Sequence, residues 1–268
     1  MTLISRNKIT LGFGIFCGAV ILLFLGLFLF NFYNGKIAPL TDHFSFQNFS
    51  LKSFLFDDYS VFSVISIVYL GIFSFTTTIV IRYSFEKTQS PEIIFFIGFL
   101  ISCLFEYFRL LIPLYNLWES YSRLLIFIGK GCFACRLISL FCFLFSALFS
   151  DDIQSQTTEK TLLIIAIVSW IFVEFLPINT GTVNQSINPA SGFSQIFEVI
   201  QFVIFFLTCI SMIFYSKSRY TLTYVYLIIG YFSLVYATNF FLCFIGIILL
   251  SFGTFKYLQK IHNYYLWQ

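Results

Sequence analysis

The chain alternates long apolar runs with short polar interruptions, and most runs are near the roughly 20 residues a helix needs to cross a bilayer. Runs at 11–32, 60–81, 92–114, 161–177 and 196–215 are each bounded by polar or charged turns and read as spans. A further span is expected at 132–149. Before it, Trp118, Tyr121, Leu124 and Phe127 mix with Glu119, Arg123 and Lys130. The interruption Gly129-Lys130-Gly131 favours an amphipathic segment on the membrane surface, leaving Arg136 within snorkelling reach of water. The alternative starts the span near residue 124, which puts Arg136 close to mid-membrane and in need of a partner. The last run, 221–255, is too long for one ordinary span, and Ala237-Thr238-Asn239 divides it into 222–236 and 239–255. The expectation is one all-α integral membrane domain over 1–268, a polytopic bundle of eight spans with seven as the alternative, and no soluble domain. The first run exceeds the apolar part of a cleavable signal, so it reads as an uncleaved span.

Composition agrees. Hydrophobic residues make up 59% of the 268 and charged residues 10%, whereas soluble domains carry roughly 25% charged residues. Forty Phe and sixteen Tyr fit either lipid-facing positions or an aromatic-lined apolar pocket, and the first is expected. A net charge of +3 without a basic run gives no reason to expect a nucleic-acid partner.

The basic residues set an orientation instead. With eight spans, Arg6, Lys8, Arg82, Lys87, Lys160, Lys217, Arg219, Lys256 and Lys260 share one side with both termini, against Lys36, Lys52 and Arg123 on the other. The positive-inside rule makes the richer side cytoplasmic, in a plasma (inner) membrane. Two histidines argue against a histidine-rich metal or haem centre, and no cofactor is expected.

The candidate chemistry lies inside the apolar runs. Glu106 and Arg109, three residues apart, share a helical face with Ser102 and Pro113. A charge at the centre of a span costs about 2.5–3.5 kcal/mol on insertion scales, so such residues face protein or water and are functional candidates. Lys130, Arg136, Glu174, Glu198 and Gln201 fall at the same, outer level once the spans are oriented. The set is expected to bind a ligand, with Arg109, Lys130 and Arg136 meeting an anion and Glu106 orienting Arg109. A structural ion-pair layer is the competing account. Cys132 and Cys135 form a C-x-x-C beside Lys130 and Arg136, and a helix start plus nearby cations is how reactive dithiols are made. The seven cysteines otherwise behave as small buried hydrophobes.

Three functions remain open. The first is a non-enzymatic multi-pass protein that binds a small polar, anionic or zwitterionic ligand from the extracytoplasmic side as a transporter-like or receptor-like unit. The second is a structural or assembly subunit of a membrane complex, with a membrane-protein partner. The third is a membrane thiol oxidoreductase.

Overall fold

The computed structural model describes residues 3–34, 60–86, 90–115, 117, 121–148, 155–215 and 221–266. Several expectations fall on Lys36, Lys52, Lys87, Trp118, Glu119, Lys217 and Arg219, which lie outside the described residues. The helices are α1 (Leu3–Tyr33), α2 (Ser60–Ser84), α3 (Pro91–Glu106), α4 (Leu111–Leu114), α5 (Ser122–Leu148), α6 (Ser155–Glu174), α7 (Ser194–Tyr215), α8 (Thr221–Val235) and α9 (Phe240–Leu266). A 3-10 turn, Tyr107–Leu110, joins α3 to α4. Six helices among the described residues are long and apolar enough to cross a membrane, and the 222–235 segment of α8 is a shorter apolar one. The protein is all-α, of integral membrane character.

Lipid is as apolar as leucine, so helices associate here by close packing and polar contacts rather than by leaving water. Gly230 shows how close the packing is. A Cβ on it would stand 2.6 Å from the backbone nitrogen of Leu250, so only glycine lets α8 and α9 meet at this depth. Around that crossing, Phe96, Phe99, Phe143, Tyr231 and Tyr257 form a buried aromatic core, with ring centroids 4.7 Å apart for Phe99–Phe143 and 4.8 Å for Phe96–Tyr257. These rings face inward, not towards lipid, and the tilted and edge-on pairings they adopt are favoured by the aromatic quadrupole.

The expected break before the fourth long helix does not occur. Helix α5 runs unbroken through Gly129-Lys130-Gly131 to Leu148. The two glycines serve close approach instead. A Cβ at Gly131 would lie 2.2 Å from the ring of Phe105, and one at Gly129 would lie 2.6 Å from the ring of Pro189. Arg136 therefore stands in mid-helix, packed inside the bundle, where it needs a partner.

A second departure is the stretch between α6 and α7. It reads as a polar loop but forms an antiparallel hairpin, β1 (Ile178–Val183) with β2 (Pro189–Ser191), pairing Ile178 with Ser191 and Asn179 with Ala190. The Gly192 N–H closes its neck on the Pro177 carbonyl at 2.9 Å. Its turn carries Ile187 at a φ of 57°, a left-handed conformation that a β-branched residue adopts only when its surroundings hold it there. The holding contacts are clear. Ile187 is buried against the apolar cluster of α1, α2, the 3-10 turn and α5, and the Ser63 hydroxyl donates to the neighbouring Gln185 carbonyl at 3.0 Å and to the Ala237 carbonyl at 2.7 Å. The hairpin is thus pinned over one end of the bundle, on top of Glu106, Arg109 and Arg136.

At the opposite end, Arg6 of α1 donates to the Phe85 carbonyl at 2.5 Å and Asn7 donates to that of Glu86 at 2.9 Å. A cation there also meets the negative end of the α2 dipole. The start of α1 and the end of α2 accordingly lie together, as alternating helices require.

Candidate functional site

The site is built on a charge triad of unequal signs. Glu106 ends α3, and the chain then tightens into the 3-10 turn that carries Arg109. Such a turn brings side chains at i and i+3 nearly into line. Pro113, four residues beyond Arg109, lacks the N–H that a continuing α-helix would direct back to the Arg109 carbonyl. Arg109 Nη1 accordingly donates to Glu106 Oε2 at 2.8 Å. From α5, Arg136 Nε donates to Glu106 Oε1 at 2.8 Å and its Nη2 to Oε2 at 3.2 Å. All three side chains are within 1% of full burial. One carboxylate therefore serves two guanidiniums, and the triad holds a surplus of one positive charge in an apolar bundle.

The two arginines are not equivalent. Arg109 is walled in by protein carbonyls. Its Nη2 donates to the Ser186 carbonyl, its Nε to that of Ile187 at 3.5 Å, and its Nη1 to that of Val235 at 3.2 Å. Every nitrogen of its guanidinium has a protein acceptor. The strained turn at Ile187 now has a role, since it aims two successive carbonyls at this one cation.

Arg136 is held differently. Besides Glu106, its Nη2 donates to Asn188 Oδ1 at 2.6 Å, and Asn188 is itself fixed by donating to the Ser186 hydroxyl at 3.0 Å. The rings of Phe133 and Tyr236 lie over the guanidinium, at 5.1 and 5.3 Å from their centroids, within cation–π range. Nη1 has no hydrogen-bond partner among the described residues. Arg136 also lines a cavity of about 340 Å³ beneath the hairpin, together with Phe133, Asn184, Asn188, Ser194, Glu198 and Tyr236. The guanidinium edge that protein does not use thus belongs to the side chain bordering open space.

The other expected residues separate into two groups. Lys130 and Glu174 pair with each other at 2.9 Å, and Lys130 also donates to the Glu174 carbonyl at 3.0 Å, where it caps the end of α6. Glu174 is 61% exposed, so this is a surface tie between α5 and α6, apart from the triad. A median exposed ion pair contributes about 0–1 kcal/mol. Glu198 and Gln201 belong to the cavity side. Glu198 is exposed on the cavity wall, and Gln201 accepts from the Tyr236 hydroxyl at 3.3 Å.

The dithiol reading loses its physical basis. Cys132 and Cys135 are buried, free, and in the middle of α5, well inside its start at Ser122. Neither the helix N-terminus nor the exposure that makes a thiol reactive is present there. Among the described residues no cluster of His, Cys, Asp and Glu suited to a metal ion occurs.

Sequence reasoning missed Ser186, Ile187, Asn188, Phe133 and Tyr236. All but Phe133 left a trace. The hairpin stretch is rich in Asn and Ser yet carries no charge, as suits a segment that must offer carbonyls and amides to buried cations. Tyr236 stands beside the polar interruption that divides the last apolar run. Comparison with known protein families, curated proteins and solved structures finds no match to this chain.

Proposed function

We propose that the protein is an eight-span membrane protein that binds a small polar, anionic group at Arg136, from the end of the bundle capped by the hairpin. On the positive-inside reading that end is extracytoplasmic and both termini are cytoplasmic. One observation carries the proposal: the single carboxylate of the triad leaves a positive charge over, and the unused edge of Arg136 borders a cavity with polar walls. An anionic group there completes the neutralisation that Glu106 begins, through charge-assisted hydrogen bonds. The work is then divided. Glu106 and Arg109 position Arg136 and fasten the hairpin, while Arg136, Asn188 and the two rings form the binding surface. On this reading the protein works as a receptor-like or transporter-like unit. An assembly role is favoured only for the Arg109 half, whose contacts are all internal.

The test uses Ser194, which lines the cavity at the start of α7. In Ser194→Cys, a membrane-impermeant maleimide is expected to label the protein from the side opposite the termini, and millimolar inorganic phosphate to slow that labelling several-fold. Labelling from the side of the termini would refute the orientation. Labelling that phosphate leaves unchanged would count against the binding site.

A further inference from the structure

We infer that the group bound at Arg136 is the head of a bilayer-borne amphiphile, whose single apolar chain runs along the groove between α7 and α8. The inference rests on reading the Arg136 cavity as a binding site, and it adds the ligand class. Beside the polar cavity lies a second one, of about 310 Å³, between α7 and α8, and Glu198 lines both. The second cavity is walled by Phe202, Phe205, Ile228, Ile229 and Phe232. Phe202 is 66% and Ile229 42% exposed, so the groove opens on the apolar face that a bilayer would cover.

Two observations make it more than an unfilled lipid-facing crevice. Gln201, only 7% exposed, lines the groove, and its Nε2 has no hydrogen-bond partner. A buried donor without an acceptor is uncommon and unfavourable, and it calls for an explanation. An ester or acid oxygen at the top of the chain would supply that acceptor. The second observation is continuity. Tyr236 has its ring over Arg136 and its hydroxyl on Gln201, so the Tyr236–Gln201 pair forms the partition between the polar and the apolar space.

The charges specify the head. Arg136 offers an unused cationic edge, and Glu198 is an exposed carboxylate with no partner among the described residues. A head carrying an acid beside an amine satisfies both. A purely anionic group can still meet Arg136, but it leaves Glu198 without a counter-charge and so binds less tightly than a head that carries both signs.

The experiment measures binding to the full-length protein in a maltoside detergent by native mass spectrometry. The probes are lysophosphatidylethanolamine, chain-free phosphoethanolamine and lysophosphatidylglycerol. The expected result is that lysophosphatidylethanolamine binds at least tenfold more tightly than either of the other two, with affinity rising along a series of chain lengths. Ile229→Trp, at a position 42% exposed on the groove wall, should fill the groove and reduce lysophosphatidylethanolamine to the level of phosphoethanolamine, whose own binding stays unchanged; an unaltered thermal unfolding midpoint in detergent shows that the variant is folded. Equal binding of chain-bearing and chain-free probes, with no effect of Ile229→Trp, would overturn the amphiphile while leaving Arg136 as an anion site. Lysophosphatidylglycerol binding as well as lysophosphatidylethanolamine would overturn the paired acid-and-amine head. Binding of none of the probes would overturn both this inference and the site it rests on.

Discussion

Glu106→Gln is expected to be the most damaging single substitution in the protein, although it changes almost no volume. The residue provides the only negative charge of a buried triad, and both guanidiniums donate to it. Its amide counterpart leaves two cations facing each other in an apolar bundle. Removing one partner of a buried ion pair destabilises by about 3–5 kcal/mol, because the other charge is stranded. Here two are stranded, so the loss lies at or above the top of that range. That is a large part of the about 5–15 kcal/mol by which ordinary domains are stable. Either arginine behaves differently, because its removal leaves a neutral pair behind. Arg109→Gln strips donors from three carbonyls and loosens the hairpin, so it ranks second. Arg136→Gln leaves Glu106 paired with Arg109 and ranks third. Thermal unfolding in detergent and purified yield both read this order, and a Glu106→Gln variant as stable as either arginine variant would contradict the unequal triad.

Arg136→Gln carries the second large effect, on binding instead of folding. The variant keeps the Glu106–Arg109 pair and loses the cationic edge beside the cavity. A hydrogen bond to a charged group contributes about 1.5–3 kcal/mol net, roughly ten- to a hundred-fold in affinity. Affinity for inorganic phosphate should therefore fall by at least tenfold in Arg136→Gln. Arg109→Gln, further from the cavity, should change it by less than about threefold, provided it is measured where that variant remains folded. Equal losses in the two variants would mean that the arginines act together on the ligand, and the division of roles proposed here would fail.

Part of this was legible from residue spacing alone. Glu106 and Arg109, three apart inside an apolar run, had to meet, and they do. Arg136 was recognisable as a residue needing a partner if its helix began early. The two glycines around Lys130 hid that, because a glycine that admits a neighbouring ring looks in sequence like one that ends a helix. The neighbours concerned, Phe105 and Pro189, are distant along the chain, and no local pattern announces them. The hairpin was hidden for a related reason. Its contribution to the site is made mostly by backbone carbonyls, at Ser186 and Ile187, and every residue type carries one. Lys130 and Glu174 gave the opposite error. They were expected at the same level as the triad, but each faces the other across the α5–α6 surface, and helical depth does not fix direction around the helix axis.

The unused edge of Arg136 is the central claim, and it can be seen directly. Selenate is a small anion whose selenium scatters anomalously, so a crystal structure of the protein soaked in selenate would locate bound anion without ambiguity. The account predicts an anomalous peak in the cavity beneath the hairpin, within hydrogen-bond distance of Nη1 of Arg136 and beside the rings of Phe133 and Tyr236. It predicts no such peak in crystals of Arg136→Gln. A cavity that stays empty in the wild type, or a peak lying against Lys130 at the α5–α6 surface instead, would contradict it.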